Sequence, residues 1–281
     1  MAKIMGGVTS SHIPAVGNAI ANNLTQEPYW KRFFDGYGPA HEWLEKVKPD
    51  VIIVVYNDHG LNFFLDKMPT FAIGCADTYA NADEGWGLKP VSPFEGDAQL
   101  SWHIAESLVA QEFDITMCQE MLVDHGFVNP IRALFGTHEK WPVKAIPLAV
   151  NTVQHPVPTA ARCLKLGRAL RKAVESYPED LKVVILGTGG MSHQLQGERA
   201  GLIDVEFDLE TMEKIATDPE WLTQFSNADI MRRAGTEGIE TIMWLVMRGA
   251  LQDDAKVIHK HYHAPISNTG AGVLVMENKH D

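Results

Sequence analysis

Thiols are scarce in this chain. Its 281 residues include three cysteines, Cys75, Cys118 and Cys163, widely spaced and without a Cys-x-x-Cys pair. An odd, scattered set argues against a disulfide framework and a thiolate zinc site, and it fits a reducing cytoplasm. Long apolar runs are missing too: no stretch approaches the roughly 18 residues that would suggest a membrane span. Positive charge is in short supply. With 24 Lys and Arg against 36 Asp and Glu, the formal net charge is -12, which argues against nucleic acid as a main partner. An anionic substrate would therefore need local donors to offset an unfavourable overall field. The opening Met1-Ala2-Lys3-Ile4-Met5-Gly6-Gly7 lacks the apolar core of a signal peptide and reads as the first strand itself.

What is present is enough apolar residue, 45%, to bury a full core. No low-complexity tract, internal repeat or linker-like shift interrupts the chain, so one domain over residues 1–281 is expected. Apolar runs at Ile4–Thr9, Val51–Tyr56, Thr70–Ile73, Ile115–Cys118, Val143–Val150, Val183–Leu186 and Val273–Met276 predict strands. Helical spacing falls between them at Ala98–Gln111, Ala160–Val174 and Glu237–Leu251, the last apolar almost all round and so expected to be buried. This alternation predicts an α/β fold with a central mixed, largely parallel sheet flanked by helices. Asp77–Gly96, rich in Gly, Pro, Trp and acidic residues, reads as a long loop of the kind that borders active sites.

Three histidines directly follow apolar runs: His12 after Gly7-Val8-Thr9-Ser10-Ser11, His59 after Val51–Asp58, and His193 after Val183–Ser192. In an open α/β sheet, ligands bind outside the carboxyl ends of the strands, so three imidazoles on one rim would form a metal or acid–base site. Each taken alone also fits an ordinary polar strand-end turn. Leu186-Gly187-Thr188-Gly189-Gly190-Met191-Ser192-His193 brushes against a dinucleotide fingerprint. It has Ser192 where a third glycine is needed, so a turn that brings backbone near a small ligand and presents His193 fits better.

Asp124-His125-Gly126 reads as a surface turn. His259-x-His261-x-His263 would share one face of a strand, and a solvated edge is the stronger reading. His41, His103, His138, His155 and His280 fall in polar or helical surface contexts and receive no role. Among the carboxylates, Glu237 suits the helix N-terminus electrostatically. Glu240, one turn further into the apolar segment, needs a partner if buried and is the better candidate ligand. Two histidines and a carboxylate suit non-haem Fe(II) and are compatible with catalytic zinc; spacing does not decide.

From about residue 6 to 276 the chain resembles the class III extradiol ring-cleaving dioxygenases, and specifically their protocatechuate 4,5-dioxygenase β (catalytic) subunits. The resemblance is carried by Thr9–Pro14, Val55–His59, Ala82-Asp83-Glu84-Gly85-Trp86-Gly87, Val123–Gly126, Gly187–Gly197, Glu237–Glu240 with Met243-Trp244-Leu245, and Ser267-Asn268-Thr269. It implies iron ligands at His12, His59 and Glu240, an acid–base histidine at His193 and a second active-site histidine at His125. Ser267, with Asn268 and Thr269, falls where the family contacts the substrate carboxylate. Asn57 and Asp58 are candidates for steadying His59.

The implied reaction is Fe(II)-dependent meta-cleavage of protocatechuate by O2, giving 4-carboxy-2-hydroxymuconate semialdehyde. Gallate, 3-O-methylgallate or another substituted catechol is the alternative within the family. A zinc hydrolase, or a non-catalytic binding module on the same fold, is the alternative outside it. The implied partners are a catechol carboxylate and O2. Gallate-type members carry extra C-terminal sequence, and this chain ends at Asp281. The expectation is therefore a separate small α-subunit covering the site in a hetero-oligomer, or else a homo-oligomer.

Overall fold

The computed structural model describes residues 1–85, 87 and 90–279. Trp86 of the quoted motif and His280 lie outside the described residues. The chain runs β1 (Lys3–Ser10), α1 (Pro14–Ala21), α2 (Pro28–Asp35), α3 (Gly38–Val47), β2 (Val51–Tyr56), β3 (Phe71–Gly74), β4 (Thr78–Asn81), β5 (Phe94–Glu95) and α4 (Ala98–Ala110). It continues through β6 (Thr116–Cys118), β7 (Leu122–Val123), α5 (His125–Phe135), β8 (Lys144–Val150), α6 (Ala160–Glu175), β9 (Lys182–Thr188), α7 (Val205–Thr217) and α8 (Asn227–Ala234). It closes with a 3-10 turn (Glu237–Thr241), α9 (Ile242–Ala250), β10 (Lys256–Ile266) and β11 (Thr269–Glu277).

The eight-stranded sheet has the order β10-β11-β1-β9-β2-β8-β3-β6. Its centre is parallel, β1 with β9, β9 with β2 and β2 with β8, while β11 joins β1 and β3 joins β8 antiparallel. This is the mixed, mostly parallel sheet the strand–helix alternation predicted. Every residue of Val51–Tyr56 is buried, as a central parallel strand covered on both faces requires. Alternate side chains divide between the faces: Val51, Ile53 and Val55 pack with residues of α4, α6 and α9, and Ile52, Val54 and Tyr56 with residues of α1, α3 and α5.

Adjacency of β1, β9 and β2 has a direct consequence. Because the three run parallel, Ser10, Thr188 and Tyr56 all end at one rim of the sheet. The chain leaves each strand there, within a few residues of His12, His193 and His59.

Several local expectations give way. Asp77–Gly96 is not all loop, because β4 and β5 pair within it and β4 also takes β7. Glu237–Leu251 divides into the 3-10 turn and α9. Asp124-His125-Gly126 is no surface turn: Asp124 caps α5 by accepting from Gly126 N–H, and all three residues are buried. The histidines of β10 sit on the sheet's edge strand but are half-buried against α2 and the residue after it, with His259 Nε2 2.9 Å from Gly36 O.

Candidate metal and acid–base site

Each strand-end histidine arrives with one ring nitrogen already engaged. His12, on the turn before α1, has Nδ1 3.0 Å from Thr188 Oγ1 at the end of β9, which turns Nε2 toward Glu240. His59 donates from its backbone N–H and from Nδ1–H to the same Asp124 oxygen, at 2.8 and 3.0 Å. With Nδ1–H so engaged, Nε2 is the nitrogen turned toward the cluster, where the Asn57 side-chain amide lies 3.1 Å away. His193 donates Nδ1–H to the Met191 carbonyl at 2.8 Å, so its Nε2 is an acceptor. Carbonyl or carboxylate partners of this kind fix the tautomer and aim of a ligating or catalytic imidazole.

Glu240 enters from the opposite side on the 3-10 turn. Its Oε2 lies 3.1 Å from His12 Nε2 and 3.9 Å from His193 Nε2, and its Oε1 lies 4.0 Å from His59 Nε2. Gly190 N–H also donates to Oε2, at 2.7 Å. Gly189, with φ of +117°, permits this approach, since a Cβ there would meet Glu240 Cβ at 2.8 Å. The carboxylate is 6% exposed. Burial favours its protonation, but His12, His193 and His59 together outweigh that and hold the carboxyl well below the usual carboxylate range.

His125 completes the cluster from the first turn of α5. Its ring lies 4.0 Å from that of His59 and 5.7 Å from that of His12. Glu84 receives both of its donors: backbone N–H to Oε1 at 2.7 Å and Nδ1–H to Oε2 at 2.5 Å. Burial, and then the neighbouring His59, push the His125 pKa down. For His59 burial acts the same way, yet Asp124 prevails and raises it to about 9 in the metal-free protein. In return Asp124, despite burial, falls to about 2.

Nitrogens of His12, His59 and His125 lie within 4.8 Å of one another, a set able to hold a metal ion. The donor chemistry fits a divalent transition ion: two or three imidazoles and an ionised carboxylate, with no thiolate among the described residues of the cluster. Asn57, whose amide nitrogen meets His59, keeps its Oδ1 buried without a hydrogen-bond partner, a polar acceptor beside the cluster. A cavity of about 680 Å³ opens onto the cluster, with His12, His59, His125, His193 and Glu240 in its wall. That volume is ample for a single aromatic ring.

Ser267 and Thr269 line this cavity, while Asn268 is exposed and is not among the described lining residues. Ser267 and Asn268 both sit in left-handed backbone, with φ of 47° and 58°, where the hairpin between β10 and β11 turns. That turn points one side chain inward and the next away. The expectation that Asp58 steadies His59 is corrected: its carboxylate caps the following turn, accepting from the backbone of Gly60, Leu61, Asn62 and Phe63. Asp124, 65 residues away, takes that place. His155, given no role in the sequence, lines the cavity with Val153. Asp124 was read only as part of a surface turn, although an Asp before an apolar helical stretch is a cap signal, and Glu84 only as part of a motif string.

The chain matches the family model "Catalytic LigB subunit of aromatic ring-opening dioxygenase" over residues 6–274. It is 46% identical to gallate dioxygenase of Pseudomonas putida over 70% of this chain and 58% of that protein. It is 28% identical to 2,3-dihydroxyphenylpropionate/2,3-dihydroxicinnamic acid 1,2-dioxygenase of Comamonas testosteroni, over 95% of each. Among solved structures, an uncharacterized Escherichia coli protein aligns with a TM-score of 0.59 and 12% identity, over 96% of this chain and 99% of that one, a likeness of fold.

Proposed function

Because the chain belongs to the family of LigB catalytic subunits of aromatic ring-opening dioxygenases, we propose that it opens the ring of a catechol-type acid with O2, using Fe(II) held by His12, His59 and Glu240. The observation that carries this reading is the convergence of two imidazole Nε2 atoms on the Glu240 carboxylate, at 3.1 and 4.0 Å, on the wall of a ring-sized cavity. Ferrous iron bound there would supply what the side chains cannot, a centre that binds the diol and O2 side by side and couples them electronically.

The protein's own groups do the rest. His193 Nε2, with its lone pair held toward the cluster by the Met191 carbonyl, takes the proton of a substrate hydroxyl and can return it later in the reaction. His125, also in the cavity wall, would offer Nε2 as a hydrogen-bond acceptor, since Glu84 engages Nδ1. Asp124 holds the His59 ring through Nδ1, which would aim Nε2 at a bound metal. Ser267 offers a hydroxyl to a substrate carboxylate without a buried cation, beside Thr269, whose own hydroxyl donates to the Ser267 carbonyl.

Two substrates divide the support. The motif strings point to protocatechuate, whereas the 46% identity to gallate dioxygenase favours gallate, which adds one hydroxyl. We take gallate as the first substrate to test. Anaerobically iron-loaded protein, given gallate or protocatechuate in separate assays, should consume O2 and bleach the aromatic absorbance. Each assay is run with and without a candidate small subunit, and an O2-free control separates oxygenation from hydrolysis. Loss of neither substrate under O2 would refute the reading.

A further inference from the structure

Glu84 uses both carboxylate oxygens on a single residue. Oε1 accepts the backbone N–H of His125 at 2.7 Å and Oε2 accepts its Nδ1–H at 2.5 Å. Glu84 lies 41 residues earlier in the chain, and it lines the cavity together with Asp83. The arrangement constrains proton positions on the ring. A carboxylate can only accept, so the imidazole nitrogen facing it must carry a hydrogen. Nε2 then has no hydrogen while the ring is neutral, and a His125 nitrogen lies within 4.8 Å of those of His12 and His59.

We propose that Glu84 is a positioning residue that locks His125 in the Nδ1–H tautomer, keeping Nε2 as a proton acceptor on the reaction side of the cavity. The proposal rests on the dioxygenase reading for its kinetic consequence but not for the tautomer itself. It extends to the second histidine the device that Asp124 supplies to His59. In this proposal the two acids serve different ends: Asp124 orients the Nε2 proposed to meet the metal, and Glu84 the Nε2 proposed to meet substrate.

Glu84→Gln tests this with little change of shape. The backbone N–H of His125 cannot change its sense, so it keeps the glutamine carbonyl. The glutamine NH2 then faces Nδ1 and is satisfied only if Nδ1 loses its hydrogen. The substitution should therefore reverse the tautomer. Ring 15N–1H correlation spectra of histidine-labelled, zinc-loaded protein read the tautomer directly, with His125→Gln identifying the signal. The expected result is Nδ1–H in the parent and Nε2–H in Glu84→Gln, with metal content equal in both. Iron-loaded Glu84→Gln should lose about ten- to a hundredfold in kcat toward gallate, the range typical when a residue orienting an active-site group is removed, with KM little changed. An Nε2–H signal in the parent, an unchanged tautomer in the variant, or undiminished kcat would overturn the proposal. If even the parent opened no ring, the dioxygenase reading would fall, and the spectra alone would decide the role of Glu84.

Discussion

Asp124→Asn should cost the metal-free protein about 3 to 4 kcal/mol near pH 5–6, with a characteristic dependence on pH. Two contributions make up this cost. The first is electrostatic: Asp124 is lowered from 3.8 to about 2 by His59, and His59 is raised from 6.5 to about 9 mainly by Asp124. Both shifts describe one interaction, so it is counted once. The Asp124 shift, from 3.8 to about 2 at about 1.4 kcal/mol per unit, gives roughly 2 to 3 kcal/mol. The second is a hydrogen bond. Asp124 serves His59 N–H and Nδ1–H through Oδ2 and Gly126 N–H through Oδ1, and an asparagine has one acceptor oxygen for the two sets, losing about 1 kcal/mol. The signs of the two shifts set the direction with pH. A depressed carboxylate stabilises above its unfolded pKa, so the electrostatic part fades as pH falls from about 4 through 2. A raised histidine stabilises fully below about 6.5, so the same part fades as pH rises through about 9. Urea unfolding of chelator-treated parent and variant across this range is the assay. A deficit that stays constant from acid to alkaline pH would refute the pairing as described.

Other substitutions separate binding from chemistry. His12→Ala and Glu240→Ala should each abolish metal retention, measured as metal per chain after desalting, because each removes one member of the pair at 3.1 Å. His193→Ala should retain metal yet lose roughly two to four orders of magnitude in turnover, the span of general acid–base groups; normal turnover would exclude His193 from proton transfer. Gly190→Ala should also retain metal and lower kcat, since its Cβ would lie 2.5 Å from His193 Cε1 and force the ring aside. Added salt should lower KM for an anionic substrate. Asp83, Glu84, Glu237 and Glu240 line the cavity with no Lys or Arg among its described residues, and screening weakens that repulsion; a KM that rises with salt would point to a cationic contact instead.

What was legible in the sequence has a physical pattern. Strand-end histidines could be read because a buried strand announces itself locally: Val51–Tyr56 is an unbroken apolar run, and the residues after it must emerge at the rim. The chain order alone does not show that β9 inserts between β1 and β2, yet that insertion is what gathers His12, His193 and His59. The glycine turn at 187–190 was readable for the same local reason, and it does present His193. Carboxylates were harder, because acids are abundant and exposed acids look like buried ones. Glu240 stood out only because its neighbours are apolar. Asp58 stood next to His59 in sequence and drew the pairing, but on leaving the strand its carboxylate is captured by the nearer backbone N–H groups of residues 60–63. That leaves His59 Nδ1 to a carboxylate delivered by another element. Asp124 is suited to that task because a helix cap is rigid and its second oxygen remains available. The same reasoning explains Glu84, which meets His125 across 41 residues of chain where no periodic signal links them. Local patterns thus disclose which nitrogens reach the rim, whereas the acids that set their protonation come from contacts that only the folded sheet creates.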